Sequence, residues 1–262
     1  MIFSAQQMRV KILGSGTSQG VPIIGCDCEV CRSTDKKDKR LRTSIHIKTD
    51  ECSICIDAGP DFRYQMLRAG IRNLDAILIT HEHKDHIGGL DDARPLIFAQ
   101  QRPMTVYASK SAQEEIKREY SYAFADDNER YPGAPVFDLI DISEDLIRIK
   151  DLLIEPIKLK HYTLTSYAFK IGSFAYVTDF SELSDEAFNK LKGTEYLIIE
   201  ALRKEEHYSH INLYQAIDIA QRLNVKKAWF THVSHNMGKA ADVNPTLPAN
   251  MMLAYDGLEI TI

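Results

Sequence analysis

The sequence has no run of about 20 apolar residues, which excludes a membrane-spanning helix of ordinary length. Its opening stretch, MIFSAQQMRVKIL, lacks the basic, apolar and small-residue succession of a signal peptide, so the expected compartment is the cytoplasm. Positive charge is not in excess: 32 Lys and Arg stand against 37 Asp and Glu, a formal net charge of −5. That balance gives no global cationic field for long nucleic acids or anionic membranes. No segment has the Gly, Ser or Pro richness of a linker, and there is no internal repeat or low-complexity tract. The 262 residues therefore read as one domain, 1–262. Cysteine is scarce and odd in number, five in all, which excludes a fully paired disulfide framework and fits a reducing compartment. What is present, 44% hydrophobic and 26% charged residues, suffices for a packed core.

Apolar or alternating runs predict strands at RVKIL, TSIHIKT, CSICIDAG, LDAILIT and MTVYAS in the first half. LLIEPIKLK, SYAFKIG, SFAYVTD, YLIIEAL and KKAWFTH follow in the second. Helical patterns cover 62–69, closed by Gly70, then SAQEEIKREY, 183–192 and 213–223, and IGGLDDARPLIF reads as a helix interrupted by proline. Residues 122–135 are polar, aromatic and proline-bearing, as a surface loop or lid would be. Many strands with interspersed helices predict sheets sandwiched between helical layers.

Chemistry concentrates at HEHKDH. His81 and His83 lie two apart at a strand end, where both imidazoles point to one side while strand geometry persists, and Asp85 and His86 follow in a turn. Three further apolar runs end in a possible ligand: LKH at His161, VTD at Asp179 and FTH at His232. If those strand ends gather on one edge, His81, His83 and His161 hold one ion, Asp85, His86 and His232 hold another, and Asp179 bridges them. Imidazole and carboxylate suit Zn²⁺ or Mn²⁺. Two ions about 3.5–4 Å apart can share a hydroxide and clamp the attacking and leaving oxygens of a phosphoryl centre, so hydrolysis is the expected reaction. A single histidine in a turn is ordinarily packed or solvated, but five of the nine histidines fall in this pattern.

Cys26, Cys28 and Cys31 form C-x-C-x-x-C, three thiolates that need one more donor to close a tetrahedron around a structural Zn²⁺, and His235, three residues after His232, is the expected fourth. Cys52 and Cys55 share C-x-x-C spacing within a strand pattern that turns them to opposite faces, where packing is their expected role.

THEHKDHIGG resembles the HxHxDH signature of the metallo-β-lactamase superfamily, which implies an αββα sandwich, two mixed β-sheets flanked by helices, with a dinuclear metal site. GSGTSQGVPIIGCDCEVC, THVSH and YDGLEI resemble, over residues 10–262, the family of the carbon-phosphorus lyase pathway phosphodiesterase, which acts on phosphoribosyl cyclic phosphate. The resemblance implies metal binding by His81, His83, Asp85, His86, His161, Asp179 and His232, and a structural zinc on Cys26, Cys28, Cys31 and His235. A further family histidine, near the scissile phosphate and assisting the leaving group, falls at His210 in HYSHINL, with His207 as the competing choice. Asp85 is expected to orient the hydroxide in addition to binding metal.

The expected activity is a metal-dependent phosphodiesterase acting on a small cyclic, nucleotide or sugar phosphodiester. Competing readings are a thioester or lactam hydrolase on the same fold and a non-catalytic metal-binding accessory protein of cofactor biosynthesis. Processing of tRNA 3′ ends shares the motif but finds no long basic arm in this chain. Arg94, Arg102, Arg203 and the 122–135 segment are candidates to contact the non-reacting part of the substrate, and a symmetric homodimer is the commonest assembly for such a protein.

Overall fold

The protein is represented by a computed structural model that describes residues 7–126, 128, 130–142 and 145–262. Among these, the apolar runs become fourteen strands in two sheets of seven. The first sheet contains β1 (Arg9–Gly14), β2 (Ser44–Lys48), β3 (Ser53–Ile56), β4 (Ala76–Leu78), β5 (Met104–Ala108) and β6 (Phe137–Asp141). The second contains β7 (Ile147–Ile149), β8 (Leu152–His161), β9 (Leu164–Ile171), β10 (Phe174–Val177), β11 (Tyr196–Glu200), β12 (Lys227–Thr231) and β13 (Met251–Leu253). The last strand, β14 (Glu259–Thr261), returns to pair antiparallel with β1. Both sheets are mixed: β3 to β6 and β10 to β13 run parallel, while β1 to β3 and β7 to β10 run antiparallel.

Among the described residues eight short helices connect them: α1 (Glu29–Arg32), α2 (Phe62–Ala69), α3 (Lys84–Ile87), α4 (Arg94–Gln100), α5 (Lys110–Glu119), α6 (Asp185–Leu191), α7 (Leu213–Arg222) and α8 (Ala240–Val243). None of the described helices is long and apolar enough to cross a membrane. Their ends follow local chemistry. In α7 the Asn212 side chain accepts from the Gln215 N–H while the Gln215 side chain accepts from the Asn212 N–H, a reciprocal cap typically worth about 1 kcal/mol. Gly70 ends α2 at φ 68°, a left-handed conformation that glycine adopts without penalty. Pro95 opens α4 after a 3₁₀ turn over Leu90–Ala93, rather than interrupting one continuous helix. A proline in the first turn loses no hydrogen bond, so this position is the cheaper one.

Three apolar layers result. Between the sheets, Val10, Ile12, Ile45, Ile54 and Leu78 meet Ile154, Phe169, Phe174, Tyr176 and Ile198. Burying a side chain such as Phe169 stabilises by roughly 2–3 kcal/mol. Outside the first sheet, Ile77, Ile79 and Val106 pack with Phe62, Met66, Ile97 and Ile116 of the helices; outside the second, Val177, Ile199 and Phe230 pack with Leu191, Ala216 and Ile219. This is the sandwich of two mixed sheets flanked by helices expected from the sequence. Cys52 enters the layer between the sheets and Cys55 the helical layer, on opposite faces of the first sheet. Tyr176 brings a hydroxyl into the centre of the sandwich, 3.1 Å from Thr43 Oγ1, which in turn lies 2.9 Å from Thr231 Oγ1.

His46 lies buried on β2, its Nε2 2.9 Å from Ser53 Oγ. Ser53 Oγ–H donates to the Asn73 carbonyl, so the imidazole must be the donor to Ser53. Burial pushes this imidazole down from 6.5 to about 4, with Lys48, Lys11 and Arg9 adding to the effect. The unfolded chain then binds the proton more readily, so this contribution to stability is complete above pH 6.5 and lost as pH falls towards 4. The expected loss is about 1.4 kcal/mol per pH unit. Urea unfolding at pH 7 and pH 5 is expected to show a smaller drop for His46→Gln than for the wild type; an equal drop would assign the acid sensitivity to other groups.

Candidate functional site

The parallel strands β4, β10, β11 and β12 end at one edge of the sandwich, and the chemistry-bearing residues sit on or just beyond those ends. β4 stops at Leu78, earlier than the sequence pattern suggests, because the buried Asp57 carboxylate captures the Thr80 N–H (2.8 Å) and hydroxyl. His81 and His83 are therefore brought together by a turn and not by strand alternation: His83 precedes α3 in an extended conformation, and His81 Nε2 lies 2.9 Å from His83 Nδ1. α3 carries Asp85 and His86. Its approach requires Gly59, where an added Cβ would stand 1.9 Å from the Asp85 carbonyl oxygen.

The second sheet contributes the rest. His161 ends β8, and its Nδ1 lies 3.0 Å from the Ser209 carbonyl; because a carbonyl only accepts, Nδ1 carries the proton and Nε2 keeps its lone pair. Asp179 follows β10, with Oδ2 3.4 Å from His86 Nε2 and Oδ1 3.3 Å from His232 Nε2. His232 follows β12. Asp57, Asp179 and His232 all adopt positive φ, at 65°, 59° and 55°.

Donor atoms within 4.8 Å of one another form a His81, His83, His161 set and an Asp85, His86, His232 set, while Asp179 groups with His81 and His86 and also with Glu200, His210 and His232. The structure thus brings together all seven residues singled out in the sequence. Burial alone would push the Asp85 and Asp179 carboxyls up; the facing His86 and His232 imidazoles overrule it and hold both well below the usual carboxylate range. Burial pushes the His81 and His161 imidazoles down, the latter to about 4, which keeps both neutral and able to donate lone pairs. Among the described residues, neither ring nitrogen of His232 nor Nε2 of His86 makes a hydrogen bond, although both rings are buried. Buried polar atoms are seldom left unpaired, and imidazole nitrogens converging with two carboxylates are the chemistry of a cation site. The donor set fits divalent metal.

A second cluster lies apart from these. His235 Nδ1 is 3.3 Å from Cys26 Sγ, 3.4 Å from Cys28 Sγ and 3.6 Å from Cys31 Sγ. The N–H of Cys31 donates to Cys28 Sγ and brings that thiol down to about 6, while burial pushes Cys31 up to about 11. Four N and S donors around one point also fit Zn²⁺. The Thr17 N–H bonds the Val233 carbonyl and the Val233 N–H bonds the Ser15 carbonyl, so the cysteine loop is tied to the segment carrying His232.

Between the two sheets' contributions lies a cleft of about 450 Å³, lined by His83, Asp85, His161, Asp179, His210 and His232 and, at its mouth, by Thr17, Ser18, Tyr162, His207 and Tyr208. His210 Nδ1 lies 2.8 Å from Glu200 Oε2 and 3.8 Å from Asp179 Oδ1. Burial pulls its imidazole down, but Glu200 outweighs that and brings it up to about 9. His207 lies farther out, its Nδ1 facing the N–H and hydroxyl of Ser209.

Sequence reasoning missed Asp57 and Glu200. Asp57 Oδ2 sits 2.8 Å from His86 Nδ1, and Glu200 also accepts the Phe180 N–H. Both end apolar runs, SICID and YLIIE, the same signal that singles out Asp179. The proposed substrate contacts need correction. Arg94 is held by Asp91, Tyr131 and Gly133, Arg102 by Asp75 and Leu74, and Arg203 by the Glu206 carbonyl. None of them lines the cleft, nor does any described residue of 122–135, a segment in which 127 and 129 lie outside the described residues.

The chain is 42% identical over 258 residues to an octanoyltransferase of Porphyromonas gingivalis, a match covering 97% of this chain and 52% of that protein. This chain thus spans about half the length of that relative. It is 23% identical over 283 residues to a ribonuclease Z of Agathobacter rectalis, covering 83% of this chain and 90% of that one. A crystal structure described as a new diphosphatase from the PhnP family superposes with a TM-score of 0.91 at 37% identity, covering 98% of this chain and 97% of that one. The family model for the beta-lactamase superfamily domain matches residues 53–233. That span begins at β3, takes in every strand end that feeds the cleft, and makes the chain a member of the beta-lactamase superfamily with the metallo-β-lactamase fold.

Proposed function

We propose that the protein is a metal-dependent phosphodiesterase acting on a small diester. The observation that carries this reading is the His210–Glu200 pair at the edge of the two donor sets: a buried carboxylate 2.8 Å from Nδ1 of an imidazole that lines the cleft, positioned to deliver a proton. Similarity to proteins described as a diphosphatase and a ribonuclease supports it.

His81, His83 and His161 would hold one divalent ion, Asp85, His86 and His232 the other, and Asp179 both, with Zn²⁺ or Mn²⁺ suited to the donors. When bound, the ions would make water a better nucleophile and withdraw charge from the phosphoryl oxygens. Cys26, Cys28, Cys31 and His235 would hold a structural zinc. Asp57 fixes the His86 ring through Nδ1, as carboxylates behind metal-binding histidines do. Asp85, on the open side of its cluster, accepts a hydrogen bond from the attacking water and orients it. Glu200 keeps one proton of His210 on Nδ1, so the other is presented from Nε2; as the bond from phosphorus to the leaving oxygen breaks, that oxygen takes the Nε2 proton.

This assignment predicts a dependence on the leaving group. His210→Ala and Glu200→Gln are expected to lower kcat about 10²- to 10⁴-fold on a diester with an alkoxide leaving group. On bis(p-nitrophenyl) phosphate the effect is expected to be far smaller, because p-nitrophenolate leaves without a proton. Equal losses on both substrates would assign His210 a purely structural role. The overall reading is tested by hydrolysis of both diesters with and without added Mn²⁺; no cleavage by the metal-loaded protein would overturn it. The match to half of an octanoyltransferase favours a second reading, hydrolysis of an octanoyl thioester. Among the described residues only Leu164 and Leu202 offer aliphatic side chains to the cleft, a poor lining for an eight-carbon chain, and an octanoyl thioester in the same assay separates the two readings.

A further inference from the structure

The mouth of the cleft carries two large rings that the fold leaves in solvent. Tyr162, 57% exposed, sits in the turn between β8 and β9, next to His161; Tyr208, 73% exposed, sits on the loop that carries His210. Their rings meet edge to face with centroids 5.4 Å apart, and His207 stacks on Tyr208 at 4.4 Å. Tyr162 adopts φ 53°, a left-handed conformation that a bulky residue rarely takes, and its N–H is held by Ser181 Oγ at 3.0 Å. Neither phenol hydroxyl finds a partner among the described residues, so hydrogen bonding within the protein does not account for where the rings lie.

Charge at the same place narrows what the rings would meet. No Lys or Arg lines the cleft among the described residues. Of the cations nearby in sequence, Lys160 pairs with Glu182 and Arg42 with Asp61 and the Ser18 carbonyl, while Arg203 and Lys204 lie outside the lining of the cleft. A substrate with a second phosphate away from the reacting one would find no cation in the cleft wall, whereas a flat uncharged group would find two aromatic rings at the mouth.

We propose that Tyr162 and Tyr208 form a stacking platform for the base of a nucleoside phosphodiester, so that the site selects nucleoside diesters over sugar diesters bearing further phosphates. The proposal rests on the phosphodiesterase reading above and names its substrate class. His207 backs the platform. The N–H and O–H of Ser209 both point at its Nδ1, which leaves the neutral ring's proton on Nε2 and free to donate to a base or ribose edge.

Calorimetric titration of the purified full chain with AMP and, separately, with ribose 5-phosphate tests the platform without turnover. The two ligands share a sugar and one phosphate and differ in the base. AMP is expected to bind at least about tenfold more tightly, and Tyr162→Ala or Tyr208→Ala to weaken AMP roughly 5- to 100-fold while leaving ribose 5-phosphate unaffected. Tyr162→Phe and Tyr208→Phe keep the rings and are expected to keep the affinity. Equal affinities in the wild type, or alanine variants that bind AMP as the wild type does, would overturn the platform. Hydrolysis of 2′,3′-cyclic AMP separates the two levels of the argument. A raised KM with unchanged kcat in the alanine variants supports both. A base preference that the variants lose, in a protein that cleaves no diester, keeps the platform and removes the phosphodiesterase reading; diester cleavage indifferent to both tyrosines does the reverse.

Discussion

Asp179→Ala is expected to leave a folded protein that has lost the paired metal site and about a thousandfold or more of its activity on a diester. Asp179 carries the largest expected effect because its carboxylate lies within reach of donors of both sets, His81 of one and His86 and His232 of the other. Oδ2 faces His86 and Oδ1 faces His232, and its hydrogen bond from Thr178 fixes the carboxylate plane between them. Removing any single histidine would leave the opposite donor set intact; removing this carboxylate takes a donor from each. The fold should survive, since the residue lies beyond β10 and contributes no apolar surface to the layers around it. Asp179→Asn, which keeps the shape but halves the donor capacity and removes the charge, is expected to fall between the two. Elemental analysis together with thermal unfolding decides the matter: two ions retained at the histidine clusters of the alanine variant would remove Asp179 from its bridging role.

Cys28→Ser is expected to act on stability in place of chemistry. Cys26, Cys28 and Cys31 belong to a loop whose own apolar cluster is small, Val21 and Val30 with Cys31. Beyond backbone bonds such as those between Val21 and Arg40, little burial holds such a loop, and a shared ion with His235 would add its strongest tie. Losing the zinc is expected to cost on the order of 3–5 kcal/mol. That corresponds to a melting temperature lower by about 10 °C in a chain of this size. One zinc per chain is expected to be lost, with any metal bound at the cleft unaffected. Because Thr17 and Val233 join this loop to the strand end at His232, a moderate loss of activity is expected to accompany the loss of stability. Unchanged zinc content and melting temperature would show that the four donors do not share an ion.

The histidine motif was legible because its members are neighbours in sequence, and Asp179, His161 and His232 because an apolar run ending abruptly in a donor is an uncommon pattern. Asp57 and Glu200 carry that same pattern, yet their roles depend on which strand ends become neighbours, which is a property of the two sheets and not of any one segment. The substrate arginines misled for a related reason: Arg102 is neutralised by Asp75, 27 positions away, and a free cation cannot be told from a paired one before the chain is folded. Tyr162 and Tyr208 were unreadable because exposure of an aromatic ring leaves no mark on its neighbours in sequence. The helical segments at 62–69 and 213–223 were legible nearly to the residue, since caps and apolar spacing are local.

The backbone at His232 and Asp179 carries a consequence for how this protein tolerates change. A left-handed conformation costs a non-glycine residue about 1–3 kcal/mol, and glycine escapes that cost. Among the described residues neither ring nitrogen of His232 offsets it through a hydrogen bond. Glycine at position 232 would relieve that cost but leave the volume of a buried imidazole unfilled, a loss of similar or larger size. Position 232 is therefore held against drift from two sides, by the ring's volume as well as by its nitrogens, even where the reaction is no longer needed.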